Sequence, residues 1–158
     1  MNKSIITYEI YTDGSAKGTN PAHKSGGWAY CILYDGDLIR KDSGHVNDTT
    51  NQRMELQAAI EALKQLKEPC DVTLYSDSKY LTDAINKGWL ESWKKNNWKK
   101  SDKKSVLNID LWQELLSLLE IHCVNFVWVK GHAGNEYNEI CDKLAVEAYT
   151  NSAVLEDK

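Results

Sequence analysis

A chain of 158 residues, 42% hydrophobic and 27% charged, has material for one buried core and little left over for a second. It contains nothing near the apolar run of about eighteen residues that a membrane helix needs, and it opens without a basic, apolar leader, so the cytoplasm is the expected location. The net charge of −4 argues as a sum against nucleic acid, but Lys94–Lys104 holds six lysines against one acid, Asp102. The remainder is correspondingly acidic, and the distribution decides more than the sum.

In chain order, Ile5–Thr12 alternates and is rich in β-formers, and Asp13-Gly14-Ser15 reads as a turn that ends it. Trp28–Tyr34 is a second strand, and Asp35-Gly36 is a strong hairpin signal leading into a third, about Asp37–Val46. The period then changes. From Gln52 to Leu66 the residues Leu56, Ala59, Ile60, Leu63 and Leu66 recur at helical spacing, with Thr49, Thr50 and Asn51 offering caps and Pro69 a stop. Val72–Tyr75 is a short buried strand, Ser76-Asp77-Ser78 a turn, and Lys79–Asn86 a helix. Trp89–Lys104 predicts a short helix followed by an exposed loop. Leu107–Leu119 is a helix, Val124–Val129 a strand, Gly131–Gly134 a loop and Asn135–Tyr149 a last helix. Residues 1–150 make a single domain, and 151–158 read as a frayed tail. Hairpins followed by alternating strands and helices predict an α/β fold: a mixed sheet of about five strands with helices packed on it.

Cys31, Cys70, Cys123 and Cys141 match no zinc or redox spacing. Reduced, mostly buried thiols are the expectation, with a disulfide as the alternative.

Four acids stand out by position. Ligands of open α/β sheets lie beyond the carboxyl ends of strands, where Asp13 and Asp77 are expected in tight turns. Each alone also reads as an ordinary turn residue. Glu55 shares a helical arc with Ala59, Ala62 and Leu66 and so faces the sheet, where a carboxylate needs compensation. Asp142 lines up with Ala145, Val146 and Tyr149, and an interfacial salt bridge would explain it equally. Converging, the four would repel one another and raise their own pKa values unless a hard divalent cation, magnesium above all, neutralised them. Pattern alone thus supports a metal-dependent phosphoryl-transfer site.

Tyr11-Thr12-Asp13-Gly14-Ser15, Thr50-Asn51-Gln52-Arg53-Met54-Glu55-Leu56, Ser76-Asp77-Ser78, and Trp128-Val129-Lys130-Gly131-His132-Ala133-Gly134 through Cys141-Asp142 resemble the bacterial-type ribonuclease H family, type 1. The resemblance runs from about Ile5 to Tyr149. It implies a five-stranded mixed sheet, three antiparallel strands followed by parallel ones. It also implies an endonuclease that hydrolyses the RNA strand of RNA–DNA hybrids by a two-metal-ion mechanism, leaving 5′-phosphate and 3′-hydroxyl ends. Two Mg2+ ions, with Mn2+ as a substitute, would be held by Asp13, Glu55, Asp77 and Asp142. By the same analogy Asp13 bridges both ions, Asp142 helps hold the one that activates water, and Glu55 and Asp77 hold the one beside the leaving oxygen. His132 would relay a proton or assist product release; read alone, a loop histidine is simply solvated.

The resemblance also assigns substrate contacts. Trp89, Trp93 and Trp98 among Lys94, Lys95, Lys99, Lys100, Lys103 and Lys104 correspond to a basic handle that grips phosphates without reading sequence. Read alone, they are a solvated lysine face over core tryptophans. Thr50 and Asn108 correspond to a pocket for a DNA-strand phosphate, and Tyr80 and Trp93 to a DNA-sugar channel. Asn20, Asn51 and Gln52 correspond to positions near the RNA minor groove, where 2′-hydroxyls are displayed. Three departures stand out: a long Gly18–Gly27 loop, Asp48 where relatives often have arginine, and Lys79 in place of a glutamine common in bacterial relatives. A monomer is expected. A DNA-directed nuclease or integrase of the same wider fold and a non-catalytic hybrid-binding module are the rival readings.

Overall fold

The computed structural model describes residues 5–17, 25–100, 102–131 and 134–156. Strands β1 (Thr7–Lys17), β2 (Ser25–Tyr34) and β3 (Asp37–Val46) form the antiparallel half of one five-stranded sheet. The β2–β3 hairpin turns at Asp35-Gly36 with φ of 52° and 82°, the two positive values that a tight two-residue hairpin requires. Helix α1 (Asn51–Leu63) then crosses to β4 (Asp71–Ser76), which pairs with β1 in parallel. Helices α2 (Lys79–Asn86), α3 (Trp89–Lys95) and α4 (Ile109–Leu119) lead to β5 (Cys123–Trp128), parallel to β4, and α5 (Glu136–Glu156) follows. The strand order is β3-β2-β1-β4-β5. Sheet composition, strand directions and helix count agree with the sequence reading. Among the described residues no helix is long and apolar enough to cross a membrane.

Strand alternation divides the core. Ile10, Tyr30, Ile32, Leu74 and Phe126 face α1, α2 and α4 and pack with Leu56, Ile60, Leu81, Trp112 and Leu115. Ala29, Cys31 and Leu33 face the other way and are covered by Cys141 and Ala145 of α5. Alanines 58, 59 and 62 are fully buried in α1, which lets its axis lie close to the sheet. All four cysteines are free thiols, three of them buried and Cys123 exposed.

Three boundaries depart from the sequence reading. Asp13-Gly14-Ser15 is not a turn: β1 runs on to Lys17, with Asp13 paired to Ala29 and Gly14 to Trp28. Gly14 serves close approach instead, because a Cβ there would stand 2.2 Å from the Met54 carbonyl carbon of α1. Helix α1 stops at Leu63, and Gln65 and Leu66 tighten onto the carbonyls of Ala62 and Leu63 before Pro69. Helix α5 continues past Tyr149 to Glu156, since Thr150–Glu156 contains neither glycine nor proline to end it.

Candidate active site

The β1–β4 ladder ends at the Tyr11–Tyr75 pair, beyond which β1 continues against β2 alone. Asp13 lies two residues past that point on β1, and Asp77 immediately follows the last residue of β4. Glu55 enters from the first turns of α1, held there by the cap that Thr50 makes to the Arg53 amide, 3.1 Å. Carboxylate oxygens of Asp13, Glu55 and Asp77 all lie within 4.8 Å of one another, and Asp142 of α5 is within hydrogen-bond reach of Asp13. The structure therefore brings together three of the four acids singled out in the sequence and sets the fourth, Asp142, beside Asp13.

The surroundings are built for close packing of acids. Gly14 donates its amide to Glu55, and the Ser78 hydroxyl bonds the same carboxylate while also capping α2. A Cβ on Gly131 would meet the Asp77 carboxylate at 2.9 Å, so this glycine lets the backbone after β5 pass close beside Asp77. Asp13 and Glu55 are only 4% and 7% exposed. Burial, then the charges of Glu55 and Asp77, push the Asp13 pKa far above the usual carboxylate range. Burial and the Asp77 charge raise Glu55 as well, against the hydrogen bonds that hold it down. Such a group is strained as anions and has only oxygen donors, the set a hard divalent cation satisfies. The residues present fit a divalent metal.

The family model for RNase H matches residues 6–150. A ribonuclease H of Thermoanaerobacter sp. (strain X514) is 56% identical over 147 residues, covering 93% of this chain and 92% of that protein. The chain belongs to the ribonuclease H family. As a member it is a metal-dependent endoribonuclease. Among solved structures, LC9-RNase H1, a type 1 RNase H with the type 2 active-site motif, superposes with a TM-score of 0.85. It is 29% identical, and the match covers 96% of this chain and 75% of that one. LC11-RNase H1, solved in complex with RNA/DNA hybrid, shares the fold at a TM-score of 0.70 and 21% identity, covering 92% of this chain and 99% of that one.

The assigned substrate positions divide into groups. Asn108 joins α1 to α2: its Oδ1 accepts from Arg53 at 3.2 Å, and its Nδ2 donates to the Tyr80 hydroxyl at 3.0 Å. Trp112 donates to the same hydroxyl, and Trp93 packs edge-on against Trp112 with ring centroids 5.7 Å apart. Thr50, Asn108, Tyr80 and Trp93 thus form one linked surface at the junction of α1, α2, α3 and α4. Sequence reasoning passed over the Arg53 link, whose guanidinium also grips Asp110 through two bonds of 3.0 and 2.7 Å. Asn51 already accepts from the Ala16 amide at 2.6 Å, so its carbonyl side braces β1, while Gln52 is exposed. Lys94, Lys95, Lys99 and Lys100 are exposed around half-buried Trp93 and Trp98, and Trp89 is 43% exposed. His132, Asn20 and most of the long Gly18–Gly27 loop lie outside the described residues.

Proposed function

We propose that this chain hydrolyses the RNA strand of RNA–DNA hybrids with two magnesium ions held by Asp13, Glu55, Asp77 and Asp142, leaving 5′-phosphate and 3′-hydroxyl ends. The observation that carries the reading is the convergence of three carboxylates within 4.8 Å at the open end of the β1–β4 ladder. When bound, the ions supply a water of lowered pKa and stabilise charge on the attacking and leaving oxygens. Asp13, inside a strand with Glu55, Asp77 and Asp142 beside it, would be the central ligand of the set. Glu55, fixed by Gly14 and Ser78, orients its carboxylate without needing solvent. Asp142 approaches from the helix on the opposite face and completes the set.

The hybrid would be recognised by shape. The surface of Thr50, Asn108, Tyr80 and Trp93 suits a deoxyribose strand, while Gln52 and Glu55, on the first turns of α1, sit where 2′-hydroxyls of the cut strand would lie. The exposed lysines of α3 and the turns after it add affinity without base preference.

The test is a set of labelled RNA–DNA hybrid, DNA duplex and RNA duplex, each with and without magnesium. Metal-dependent endonucleolytic cuts in the RNA strand of the hybrid alone are expected. Efficient cutting of the DNA duplex would replace this reading with the integrase-like one.

A further inference from the structure

We propose that Lys79, seated on the ring of Trp128, is a substrate-positioning residue that holds a phosphate of the RNA strand beside the scissile bond. This deepens the hybrid-cleaving reading of the site and rests on it. Lys79 is the first residue of α2, two positions after Asp77. Its Nζ lies 4.8 Å from the Trp128 ring centroid. The indole is itself fixed, because Trp128 Nε1 donates to the Asp77 carbonyl at 3.0 Å. The ammonium is therefore positioned through one rigid side chain against the backbone of a metal-binding residue.

The position of Lys79 in its helix does not itself call for a cation. The start of a helix carries the positive end of its dipole, which disfavours lysine. Among the described residues no carboxylate forms an ion pair with Lys79, although the acidic cluster begins two residues away. Trp128, at the end of β5, leaves 43% of its surface in solvent where a smaller residue would serve the sheet. A cation–π seat holds a lysine extended and lowers the entropy lost when it meets a ligand. A polyanion drawn to a cluster of acids needs a nearby cation to offset repulsion between the acids and its flanking phosphates.

The strand follows from which way α2 points its side chains. Tyr80 turns toward Asn108 and Trp112, the surface that suits the DNA strand. Lys79, one position earlier, turns toward β5 and Asp77, where the cut strand must lie. The start of α2 thus stands between the two strands.

The experiment measures hybrid binding across a salt series in an Asp13→Asn background, so that no cleavage occurs. Lys79→Gln should weaken binding about 3–10-fold and reduce the slope of log K against log salt by about 0.9, one phosphate contact. Lys79→Arg should restore both. In the chain that retains Asp13, Lys79→Gln should raise KM and leave kcat within about twofold. The Lys79→Gln penalty should disappear on hybrids whose RNA-strand phosphates beside the cut are neutral methylphosphonates, and persist when DNA-strand phosphates are neutralised instead. An unchanged affinity and salt slope, or a penalty that disappears with the DNA-strand replacements, overturns the proposal. A parent chain that cleaves no hybrid overturns the functional reading first, and this one with it.

Discussion

Gly14→Ala separates a turn glycine from a packing glycine. An added Cβ would lie 2.2 Å from the Met54 carbonyl carbon, 2.4 Å from the Glu55 amide nitrogen and 2.5 Å from the Met54 oxygen. All three are backbone atoms, so no side chain can swing aside. Ordinary contact begins near 3.4 Å, so α1 must withdraw from β1 by about 1.2 Å. Overpacking of that kind costs about 1–3 kcal/mol. Stretching the Gly14 amide away from the Glu55 carboxylate costs about 1.5–3 kcal/mol more. Together these give about 2.5–6 kcal/mol, or a fall in Tm of about 5–24 °C for a protein of this size. The same shift carries Glu55 away from Asp13 and Asp77, and misplacement of about 1 Å costs on the order of 100-fold in rate. Circular-dichroism melts and magnesium-dependent hybrid cleavage read the two effects, with Gly36→Ala as the comparison. Gly36 has φ of 82° and nothing within 4 Å of an added Cβ, so its variant should lose about 1–2 kcal/mol and keep its kcat. A Gly14→Ala protein that melts within about 2 °C of the parent and cleaves normally would refute the close-approach reading.

Asp13→Asn should lower cleavage by on the order of 1000-fold or more while hybrid binding survives, since several kcal/mol of transition-state stabilisation depend on the metal site; cleavage and binding assays on one preparation check both. Because Glu55 is buried against like charges, Glu55→Gln should raise the Tm of the metal-free protein, whereas magnesium should raise the Tm of the parent and have little effect on the variant. Replacing Lys94, Lys95, Lys99 and Lys100 with alanine should raise KM, flatten the salt dependence and leave kcat nearly unchanged; an unaltered slope would return these lysines to a solvated face. His122 is buried with Nδ1 accepting the Cys70 amide at 3.1 Å, and burial lowers its pKa from the usual value near 6.5. A lowered histidine pKa means the unfolded chain takes up the proton first. Its share of stability is therefore complete above pH of about 6.5 and is lost below it, by at most about 1.4 kcal/mol per pH unit. Urea denaturation at neutral and mildly acid pH should show a steeper loss for the parent than for His122→Asn.

Local signals were legible wherever local chemistry decides. Asp35-Gly36 fixed the hairpin, the helical period of Leu56, Ile60 and Leu63 fixed α1, and the arc through Ala59 and Ala62 placed Glu55 against the sheet. Asp13-Gly14-Ser15 misled because its composition is that of a turn, while its conformation is set by α1, forty residues away in the chain. Composition carries no trace of a neighbour that approaches from elsewhere. The same holds for the Arg53–Asn108–Tyr80 chain and for the Trp128 bond to Asp77, each joining segments that sequence spacing cannot relate. Convergence of the acids could be suspected from strand ends and helix faces. Its geometry awaited the pairing of β1 with β4.

That pairing has a consequence for the nascent chain. Asp13, Glu55, Asp77 and Asp142 come from a central strand, a crossover helix, the end of a parallel strand and the last helix. Closing the β1–β4 ladder requires the whole α1 crossover to be in place, and contacts between distant segments form only after the entropy of closing the loop has been met. Until α5 docks, one carboxylate is missing; until β4 aligns, another is far away. A half-made or unfolded chain therefore lacks the assembled carboxylate cluster and, with it, the cutting site proposed for it. Spreading the proposed ligands across the sequence makes folding itself the safety catch on the nuclease.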